Sequence, residues 1–303
     1  MPELPDIEAY LHALRPRLLG SALERVSIAA PFVLRSVEPP IEALEGRTVS
    51  GLRRLGKRVV LEFSSDERLF LVVHLMVAGR FQWKAPGVRP PARITLARLQ
   101  FPTGSLVLTE AGTRRRASMH AARGEEGLRA HDPGGLELFD PGASATNLAG
   151  VLRRENRMLK RALTDPRTIS GIGNAYADEI LLEARLSPIL LTSKLSDEAA
   201  AVLFETSRSV LSRWTRTLCE RFERRFPGPG DVTAFRPEFG AHGRFGKPCP
   251  RCGPPPVAIQ RIVHAENETN YCPRCQTGGR ILADRSLSRL LKDHWPRTID
   301  DLE

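Results

Sequence analysis

Residues 249–275 have the sequence CPRCGPPPVAIQRIVHAENETNYCPRC, with two Cys-x-x-Cys pairs separated by 19 residues. The pairs are Cys249 with Cys252 and Cys272 with Cys275. Each pair can form a tight turn that presents two thiolates, and two such turns at the ends of a hairpin complete a tetrahedral four-sulfur site typical of Zn²⁺. Four thiolates leave no open position for a water molecule, so the single predicted Zn²⁺ is structural and not catalytic.

Other chemistry for these cysteines is less well supported. A redox pair would need a thioredoxin-like βαβ context, which the flanking sequence lacks, and an iron–sulfur cluster is the remaining metal alternative. The fifth cysteine, Cys219, lies in a stretch of helical periodicity and is expected in the core. Zinc ribbons with several arginines commonly bind nucleic acid, although many ribbons bind only protein. The arginines here are Arg251, Arg261, Arg274 and Arg280.

The composition around this stretch is that of a folded, basic protein. The chain has 303 residues, of which 41% are hydrophobic and 26% charged, enough for two or three small domains with a real core. Its formal net charge is +10, and its sequence pI is about 9.9. This charge favours a polyanionic partner, nucleic acid first of all, although a basic protein without such a partner has the same charge.

No segment predicts insertion into a membrane or export. The longest apolar run, Leu69 to Ala78, is interrupted by His74 and predicts a buried strand. The N-terminus carries acidic residues and lacks the basic and apolar regions of a secretory signal. We therefore expect a cytoplasmic, bacterial-type and nucleoid-associated protein without a membrane partner, in which the cysteines do not form disulfides.

Periodicity predicts a multidomain α+β fold. Residues 5–19 have apolar groups on one helical face, and residues 22–110 alternate β-rich runs with turns, as in a β-sandwich. The predicted strands are Arg58–Phe63, Leu69–Val73, Arg93–Leu99 and Ser105–Thr109. Helical stripes then cover Leu148–Leu163, Asn174–Ala184 and Ser196–Phe226. The predicted division is residues 1–130 (β-sandwich), 131–146 (linker), 147–240 (helical domain), 241–280 (zinc finger) and 281–303 (tail).

The tail is expected to contain a short amphipathic helix over residues 283–295. Its apolar residues are expected to pack it back onto the protein, although a partner-binding helix is the alternative. They are Leu287, Leu290, Leu291 and Trp295.

The N-terminal sequence Met1-Pro2-Glu3 suggests a chemical function. Methionine before proline is normally removed, which leaves Pro2 as a free secondary amine, although a chain can begin this way by chance. Such an amine can attack a sugar aldehyde carbon and give a cationic iminium, which serves as an electron sink for elimination. The neighbouring Glu3 carboxylic acid can protonate a leaving group or the sugar ring oxygen.

Three segments in this order resemble the formamidopyrimidine-DNA glycosylase / endonuclease VIII family. They are Pro2-Glu3-Leu4-Pro5-Asp6-Ile7-Glu8, the stretch Asn156–Pro188 and the four-cysteine finger, and the resemblance extends to about residue 280. It implies an N-terminal β-sandwich with a leading helix, a helix–two-turns–helix domain and a zinc finger, with DNA in a basic cleft. It also implies a monomer that binds double-stranded DNA containing a damaged base or an abasic site.

The resemblance assigns roles residue by residue. Pro2 is the expected nucleophile at C1′ of the damaged nucleotide, Glu3 the general acid, and Lys57 a catalytic lysine near the lesion phosphate. Lys160 and Asn174 match phosphate-binding positions. A glycine-rich stretch before a helix N-terminus suits an anion, which agrees with the place of Asn174 in Gly171-Ile-Gly-Asn174.

Several positions depart from the family pattern. The finger arginine that normally holds a phosphate is replaced by Asn267, between two glutamates, so Arg244 or Arg261 is the expected substitute. The strand motif His-Leu-x-Met has become His74-Leu-Met76-Val77. Strand alternation would turn Met76 to the wrong face, which makes the shorter Val77 the candidate wedge in DNA. His74 and Met76 remain expected DNA-binding positions.

Two loops also differ from the family. The second intercalating loop has become Glu110-Ala-Gly-Thr-Arg-Arg-Arg-Ala117, in which Arg114 and Arg115 are expected to line a phosphate path. The stretch Phe226–Gly243 is too short for the loop that covers an oxidised purine, which favours an endonuclease VIII-like branch. Three hypotheses follow: a bifunctional glycosylase and abasic-site lyase of base excision repair, a lyase with little glycosylase activity, and a non-catalytic DNA-structure binder.

Overall fold

The computed structural model describes residues 1–264, 267–284 and 287–302. The chain forms two compact units, one of Met1–Pro133 with Ser212–Thr233 and one of Gly134–Leu211 with Ala234–Glu303. Among the described residues, no helix has both the length and the apolar character needed to cross a bilayer.

The first unit begins with helix α1 (Leu4–Leu18), as the spacing of its apolar residues predicts. The Asp6 carboxylate accepts a hydrogen bond from the backbone N–H of Glu3, the N-cap residue, at 2.9 Å, which stabilises the first turn. One face of α1 is fully buried and includes Ile7, Leu11 and Leu14. The chain then leaves the helix through Gly20, whose φ of 77° lies in the left-handed region.

Two antiparallel four-stranded sheets follow, in the orders β1-β6-β7-β5 and β2-β3-β4-β8. The strands are β1 (Arg25–Ile28), β2 (Val49–Leu55), β3 (Arg58–Phe63), β4 (Leu69–His74), β5 (Gly79–Lys84), β6 (Thr95–Phe101), β7 (Gly104–Glu110) and β8 (Ser118–Arg123). Short 3-10 helices lie at Pro31–Val33 and Ile41–Leu44, and α2 (Gly124–Arg129) follows β8. One apolar cluster joins both sheets to α1, for example through Leu61, Leu99 and Leu11, which confirms the predicted β-sandwich.

The second unit contains α3 (Ala145–Arg153), α4 (Leu159–Thr164), α5 (Asn174–Glu183), a 3-10 helix (Thr192–Lys194) and the start of α6 (Asp197–Arg221). The predicted uninterrupted helix over Leu148–Leu163 is wrong. The backbone between α3 and α4 bonds to a distant segment instead, with Thr192 N–H donating to the Arg157 carbonyl at 2.9 Å. Met158 also forms an isolated bridge with Leu191.

The end of α6 and the residues after it pack within the first unit, although the sequence analysis places them in the helical domain 147–240. Leu218 and Phe222 pack against Ala9 of α1, and Val232 belongs to the sandwich core. The Phe226 ring lies 5.9 Å from the Tyr10 ring.

The zinc-finger region contains the hairpin β9 (Gln260–His264) and β10 (Asn267–Tyr271), followed by α7 (Pro273–Thr277). In the tail, α8 (Leu287–Leu291) and 3-10 helices at Lys292–His294 and Ile299–Leu302 follow. The expected apolar packing of the tail is wrong at Leu290, which is 77% exposed, and at Leu291, whereas Trp295 is half-buried. The side chain of Leu287 lies outside the described residues.

Backbone hydrogen bonds, and not the leucine side chains, hold the tail. Ile281 N–H donates to the Arg297 carbonyl at 2.8 Å, and Ile299 N–H donates to the Gly279 carbonyl at 2.9 Å. The tail is therefore attached by its backbone, while part of its short helix faces solvent.

Candidate active site, phosphate-binding residues and zinc site

The amino terminus of the chain lies in a buried, highly charged environment. Pro2 is buried, and the side chain of Glu3 beside it is 3% exposed. The α-amine belongs to Met1 in this structure, and it stands in for the Pro2 amine that removal of Met1 would free. Burial lowers the pKa of this amine, the Glu3 and Asp6 carboxylates raise it, and the Arg80 and Lys57 cations lower it further. A lowered pKa increases the neutral, nucleophilic fraction at neutral pH.

Two cations act on the amine, and the sequence predicted one of them. Lys57 is 6% exposed and lies in the turn between β2 and β3, where Gly56 has a φ of 59°. Arg80 lies on β5, and its guanidinium donates to the carbonyls of Val77 and Gly79 at 3.0 and 2.7 Å. Arg80 was not predicted from the sequence, since an arginine in a strand of a basic protein has no distinctive spacing.

His74 ends β4 and shapes the turn that follows. Its Nδ1 accepts a hydrogen bond from the Met76 backbone N–H at 3.0 Å. Burial, followed by the charges of Arg58, Lys57 and His120, lowers the pKa of His74 to about 4. The neutral ring therefore carries its hydrogen on Nε2, which leaves one N–H donor for a ligand.

Met76 and Val77 lie in this turn and not in a strand. Met76 has a φ of 54°, and the Gly79 N–H donates to the Leu75 carbonyl at 2.9 Å. The prediction that strand alternation sets the direction of Met76 is therefore wrong, because β4 ends two residues earlier. Val77 is 61% exposed and Met76 is half-buried. Val77 stays the candidate wedge.

The arginine-rich loop between β7 and β8 is fixed at its base by Glu110. This carboxylate is 1% exposed and accepts from the backbone N–H groups of Arg116 and Ala117 at 2.9 and 3.0 Å. Arg114 is exposed, whereas Arg115 is half-buried and donates to the Arg93 carbonyl at 2.8 Å.

In the second unit, Lys160 and Asn174 lie on neighbouring helices. Lys160 is 7% exposed on α4, and its Nζ lies 2.6 Å from Oδ1 of Asp178 on α5. The same ammonium donates to the Glu268 carbonyl at 2.8 Å. Asn174 is the half-buried first residue of α5, after Gly171 with a φ of 81°. Helix N-termini attract anions, and Asn174 lies at such an end; its phosphate-binding role stays a prediction.

Two buried acidic residues of α5 were not predicted from the sequence. Asp178 is fully buried and also contacts His242 Nδ1 at 2.8 Å. The Glu179 carboxylate accepts from the backbone N–H groups of residues 240, 241 and 242, each at 2.8 Å. Burial raises the pKa of Glu179, and these hydrogen bonds oppose that shift. Buried carboxylates without metal spacing have no signal in a single sequence.

The two arginines proposed to replace the missing finger arginine have partners within the second unit. The Arg261 guanidinium lies 4.4 Å from the centre of the Phe245 ring and 3.3 Å from the Glu268 carboxylate. Arg244 is half-buried and donates to the Pro237 carbonyl at 3.4 Å. Asn267 begins β10, but its side chain and all of Glu266 lie outside the described residues.

The four finger cysteines form one cluster, with all Sγ atoms within 4.8 Å of one another. Sγ of Cys252 lies 3.3 Å from that of Cys272 and 3.5 Å from that of Cys275, and the Cys249–Cys275 separation is 4.0 Å. A tetrahedral zinc with bonds of about 2.3 Å places its sulfurs about 3.8 Å apart. The donor set and its spacing therefore fit one structural zinc.

Three family models match the chain. They are the Formamidopyrimidine-DNA glycosylase N-terminal domain over residues 1–119, the Formamidopyrimidine-DNA glycosylase H2TH domain over residues 135–217, and the Zinc finger found in FPG and IleRS over residues 246–278.

Curated relatives and solved structures agree with these matches. A formamidopyrimidine-DNA glycosylase of Heliobacterium modesticaldum is 33% identical over 282 residues, which cover 91% of this chain and 100% of the relative. An uncharacterized formamidopyrimidine-DNA glycosylase-like protein of Mycobacterium tuberculosis is 39% identical over 164 residues, 54% of this chain and 96% of the relative. The Lactococcus lactis enzyme, solved with DNA containing an abasic site, has a TM-score of 0.78 and 22% identity, and the match covers 91% of this chain and 99% of that one.

The Lactococcus lactis structure, at 22% identity, shows only that the fold is similar. The family models and the Heliobacterium relative match most of the sequence. The three domains also occur in the order that the N-terminal motif, the glycine-rich helix start and the cysteine pairs predicted. The chain belongs to the formamidopyrimidine-DNA glycosylase family.

Proposed function

We propose that this protein binds double-stranded DNA at a damaged base or abasic site and that Pro2 carries out the chemistry. As a member of the family, the chain is a DNA glycosylase with abasic-site lyase activity in base excision repair. An enzyme of this kind extrudes the damaged nucleotide from the duplex before it reacts. The leaning towards an endonuclease VIII-like branch stays a prediction, since the relatives named above are formamidopyrimidine-DNA glycosylases.

The reaction begins with nucleophilic substitution at C1′. The Pro2 nitrogen lone pair forms a bond to C1′ as the glycosidic bond breaks, and the departing base takes a proton from the Glu3 carboxylic acid. The Glu3 carboxylate then takes the proton from the Pro2 nitrogen and delivers it to O4′ of the sugar. The C1′–O4′ bond breaks, which gives an iminium between Pro2 and C1′ and a free hydroxyl at C4′. This cation acidifies the C2′ hydrogen, so β-elimination expels the 3′ phosphate, and δ-elimination then expels the 5′ phosphate.

The environment of the N-terminal amine carries the proposal. The Met1 amine, which stands in for that of Pro2, is half-buried near the Glu3 carboxylate, and burial together with two nearby cations lowers its pKa. A buried amine next to an acid is the pair that imine chemistry needs, whereas a surface N-terminus would be mostly protonated at neutral pH. Lys57 also suits a role at the lesion phosphate, because its charge lies close to the same amine.

The remaining predicted DNA-binding residues belong to the proposal. Lys160 and Asn174 would bind phosphates from adjacent helices, and Val77 would enter the duplex from its exposed turn. The other DNA-binding assignments are His74, Met76, Arg114, Arg115, Arg244, Arg261 and Asn267. Zinc is required for the finger residues to keep their places.

Borohydride trapping tests the nucleophile. The protein is incubated with duplex DNA containing one abasic site, sodium borohydride is added, and the covalent adduct is measured on a denaturing gel. We expect an adduct with the natural chain and its loss in Pro2→Gly, with removal of Met1 checked by mass spectrometry in both. Absence of an adduct from zinc-loaded protein that has lost Met1 would overturn the mechanism.

A lyase with little glycosylase activity is a second candidate. It is favoured by the altered turn, where Met76 is half-buried and Val77 is the exposed residue, and by Asn267 at the position of the usual finger arginine. Cleavage of duplexes with thymine glycol, dihydrouracil, 8-oxoguanine or a bare abasic site separates the two. The lyase hypothesis requires that only the bare site be cut.

A further inference from the structure

Asp178 on α5 binds groups from three separate segments of the second unit. Its carboxylate is fully buried. Oδ1 lies 2.6 Å from Lys160 Nζ on α4, and Oδ2 lies 2.8 Å from His242 Nδ1. Oδ2 also accepts from the backbone and side-chain N–H groups of Asn270 on β10, at 3.2 and 3.3 Å. A carboxylate buried this deeply needs such partners, because burying an unpaired charge is very costly.

These contacts fix the ammonium group of Lys160. An ammonium has three N–H donors. One of them donates to the Glu268 carbonyl at 2.8 Å, and the ammonium also forms an ion pair with Asp178 Oδ1 at 2.6 Å. The Lys160 side chain is still 9% exposed. The hydrogen bond and the ion pair together fix the position of the Nζ atom and the direction of one N–H.

The contacts also form a closed ring through the finger hairpin. Asn270 and Glu268 lie two residues apart on β10, so one strand supplies an N–H to Asp178 and a carbonyl to Lys160. Movement of Asp178 or of β10 would therefore move the lysine. A lysine held in this way loses little rotamer freedom when it binds an anion, unlike a flexible surface lysine.

We propose that Asp178 is the positioning residue for the phosphate-binding ammonium of Lys160. It holds the Nζ atom in place, directly through the ion pair and indirectly through β10, so that a remaining N–H meets a DNA phosphate oxygen. This inference rests on the proposed role of Lys160 in DNA binding. The alternative is a purely structural role, in which Asp178 only attaches the finger to α5.

Equilibrium binding to a duplex with a tetrahydrofuran abasic-site analogue tests the proposal, because this analogue lacks the hydroxyl at C1′ and cannot form the iminium. Affinity is measured over a salt series for the natural chain, Asp178→Asn, Lys160→Met and the double variant. His242→Phe is the matched control, since it removes another partner of Asp178 and leaves the lysine pair intact. Zinc content and thermal unfolding are measured for every variant.

We expect Lys160→Met and Asp178→Asn each to weaken binding by about tenfold. Each should reduce the slope of log affinity against log salt by about 0.9, the value for one phosphate contact. The double variant should bind no more weakly than Lys160→Met, and His242→Phe should keep the natural slope even if it unfolds at lower temperature.

Three results would overturn the inference: additive losses in the double variant, a reduced slope in His242→Phe, or natural affinity in Lys160→Met. If Asp178→Asn fails to hold zinc, the double variant tests the positioning role instead. It removes both charges of the ion pair and therefore buries no unpaired charge. Binding more than about threefold weaker than that of Lys160→Met would then refute the positioning role. Failure of the proposed catalysis shows separately, as loss of the borohydride adduct from the natural chain.

Discussion

At the amino terminus, individual charges set the reactivity of the amine. Glu3 and Asp6 favour its protonated form, whereas burial, Arg80 and Lys57 favour the neutral form. Pro2, Glu3 and Lys57 could be predicted because they belong to a recognisable motif or spacing. Arg80 could not, since it acts through space from β5, and its position depends on how the sandwich folds.

Arg80→Met should shift the pH dependence of imine formation. The amine attacks only when neutral, so the trapping rate rises with pH through the amine pKa. Removing the cation stabilises the protonated amine, raises its pKa and moves the midpoint of the profile to higher pH. The measurement is the single-turnover trapping rate on abasic DNA between pH 5 and 9. Arg98→Met, on β6 and hydrogen-bonded to Ser105, is the control and should keep the natural midpoint; a natural midpoint in Arg80→Met contradicts the prediction.

Glu3→Gln should separate base removal from strand cleavage. A general acid typically contributes about 10²- to 10⁴-fold to the departure of a leaving group, and no base remains to depart from an abasic site. We expect base excision to slow by about 100-fold or more, while adduct formation on abasic DNA changes by less than about tenfold.

The matched control is Glu8→Gln, also near the start of α1, where the natural glutamate pairs with Arg54 at 3.1 Å. Both activities should stay near their natural rates in this control. Both rates are measured in single turnover on a lesion that the natural chain excises. Equal losses of the two activities in Glu3→Gln would show that Glu3 does more than protonate the base.

At the scale of the elements, the strands that the sequence pattern predicted are those in the middle of a sheet. The predicted strands correspond to β3, β4, β6 and β7, which are the central strands of the two sheets. The strands β1, β2, β5 and β8 escaped prediction, and all four lie at sheet edges. In this chain the central strands β4 and β7 are buried along almost their whole length, whereas the edge strands β1 and β2 are mostly half-buried or exposed and have a weaker apolar pattern.

Contacts that the local sequence does not reveal explain the errors in the helices and in the turn after β4. The stripe over Leu148–Leu163 predicts one helix, because apolar spacing does not reveal that Arg157 and Met158 bond to a segment more than 30 residues away. The turn after β4 also lacks a sequence signal of its own. Its conformation depends on the His74 side chain and on Gly79. A side chain at Gly79 would collide with the Leu75 carbonyl, and this contact is apparent only in the folded structure.

Gly79→Ala should disrupt this turn. A Cβ at this position would lie 2.2 Å from the Leu75 carbonyl oxygen, so the backbone must shift. We expect a loss of about 1–3 kcal/mol in the free energy of unfolding, measured as a lower thermal midpoint, together with weaker binding to abasic DNA.

Gly150→Ala in α3 is the matched control for this substitution, because a Cβ there meets nothing within 4 Å. Alanine reduces the freedom of the unfolded chain and should stabilise the protein by about 0.4–1 kcal/mol. A natural thermal midpoint in Gly79→Ala would show that the turn can open without cost.

On the scale of the whole molecule, the finger core lies within one of the two compact units, so we expect removal of zinc to have a local effect. The finger core contains Cys249, Cys272 and Ile259 together with Leu182 of α5, all in the second unit. Removal of zinc should therefore loosen β9, β10 and the backbone around residues 240–242, while the sandwich stays folded. DNA binding should fall sharply, since the predicted finger contacts lose their support.

Hydrogen exchange measured by mass spectrometry, before and after chelation, tests this response. We expect faster exchange in the finger and unchanged protection in β3 and β4. Elemental analysis should find one zinc per chain before chelation. Simultaneous loss of protection in both units would show that they unfold as one.

The first unit is built from two stretches of chain with residues 134–211 between them. During synthesis the N-terminus leaves the ribosome first, so the sandwich core is incomplete until Val232 has been made. Ala9 of α1 likewise lacks its packing partners until Leu218 and Phe222 have been made. Closing contacts over such a sequence distance slows folding and leaves apolar surface uncovered during synthesis. The unit that carries the proposed nucleophile therefore begins to fold first but is completed late. A fragment of residues 1–133 alone should associate with other chains before it folds.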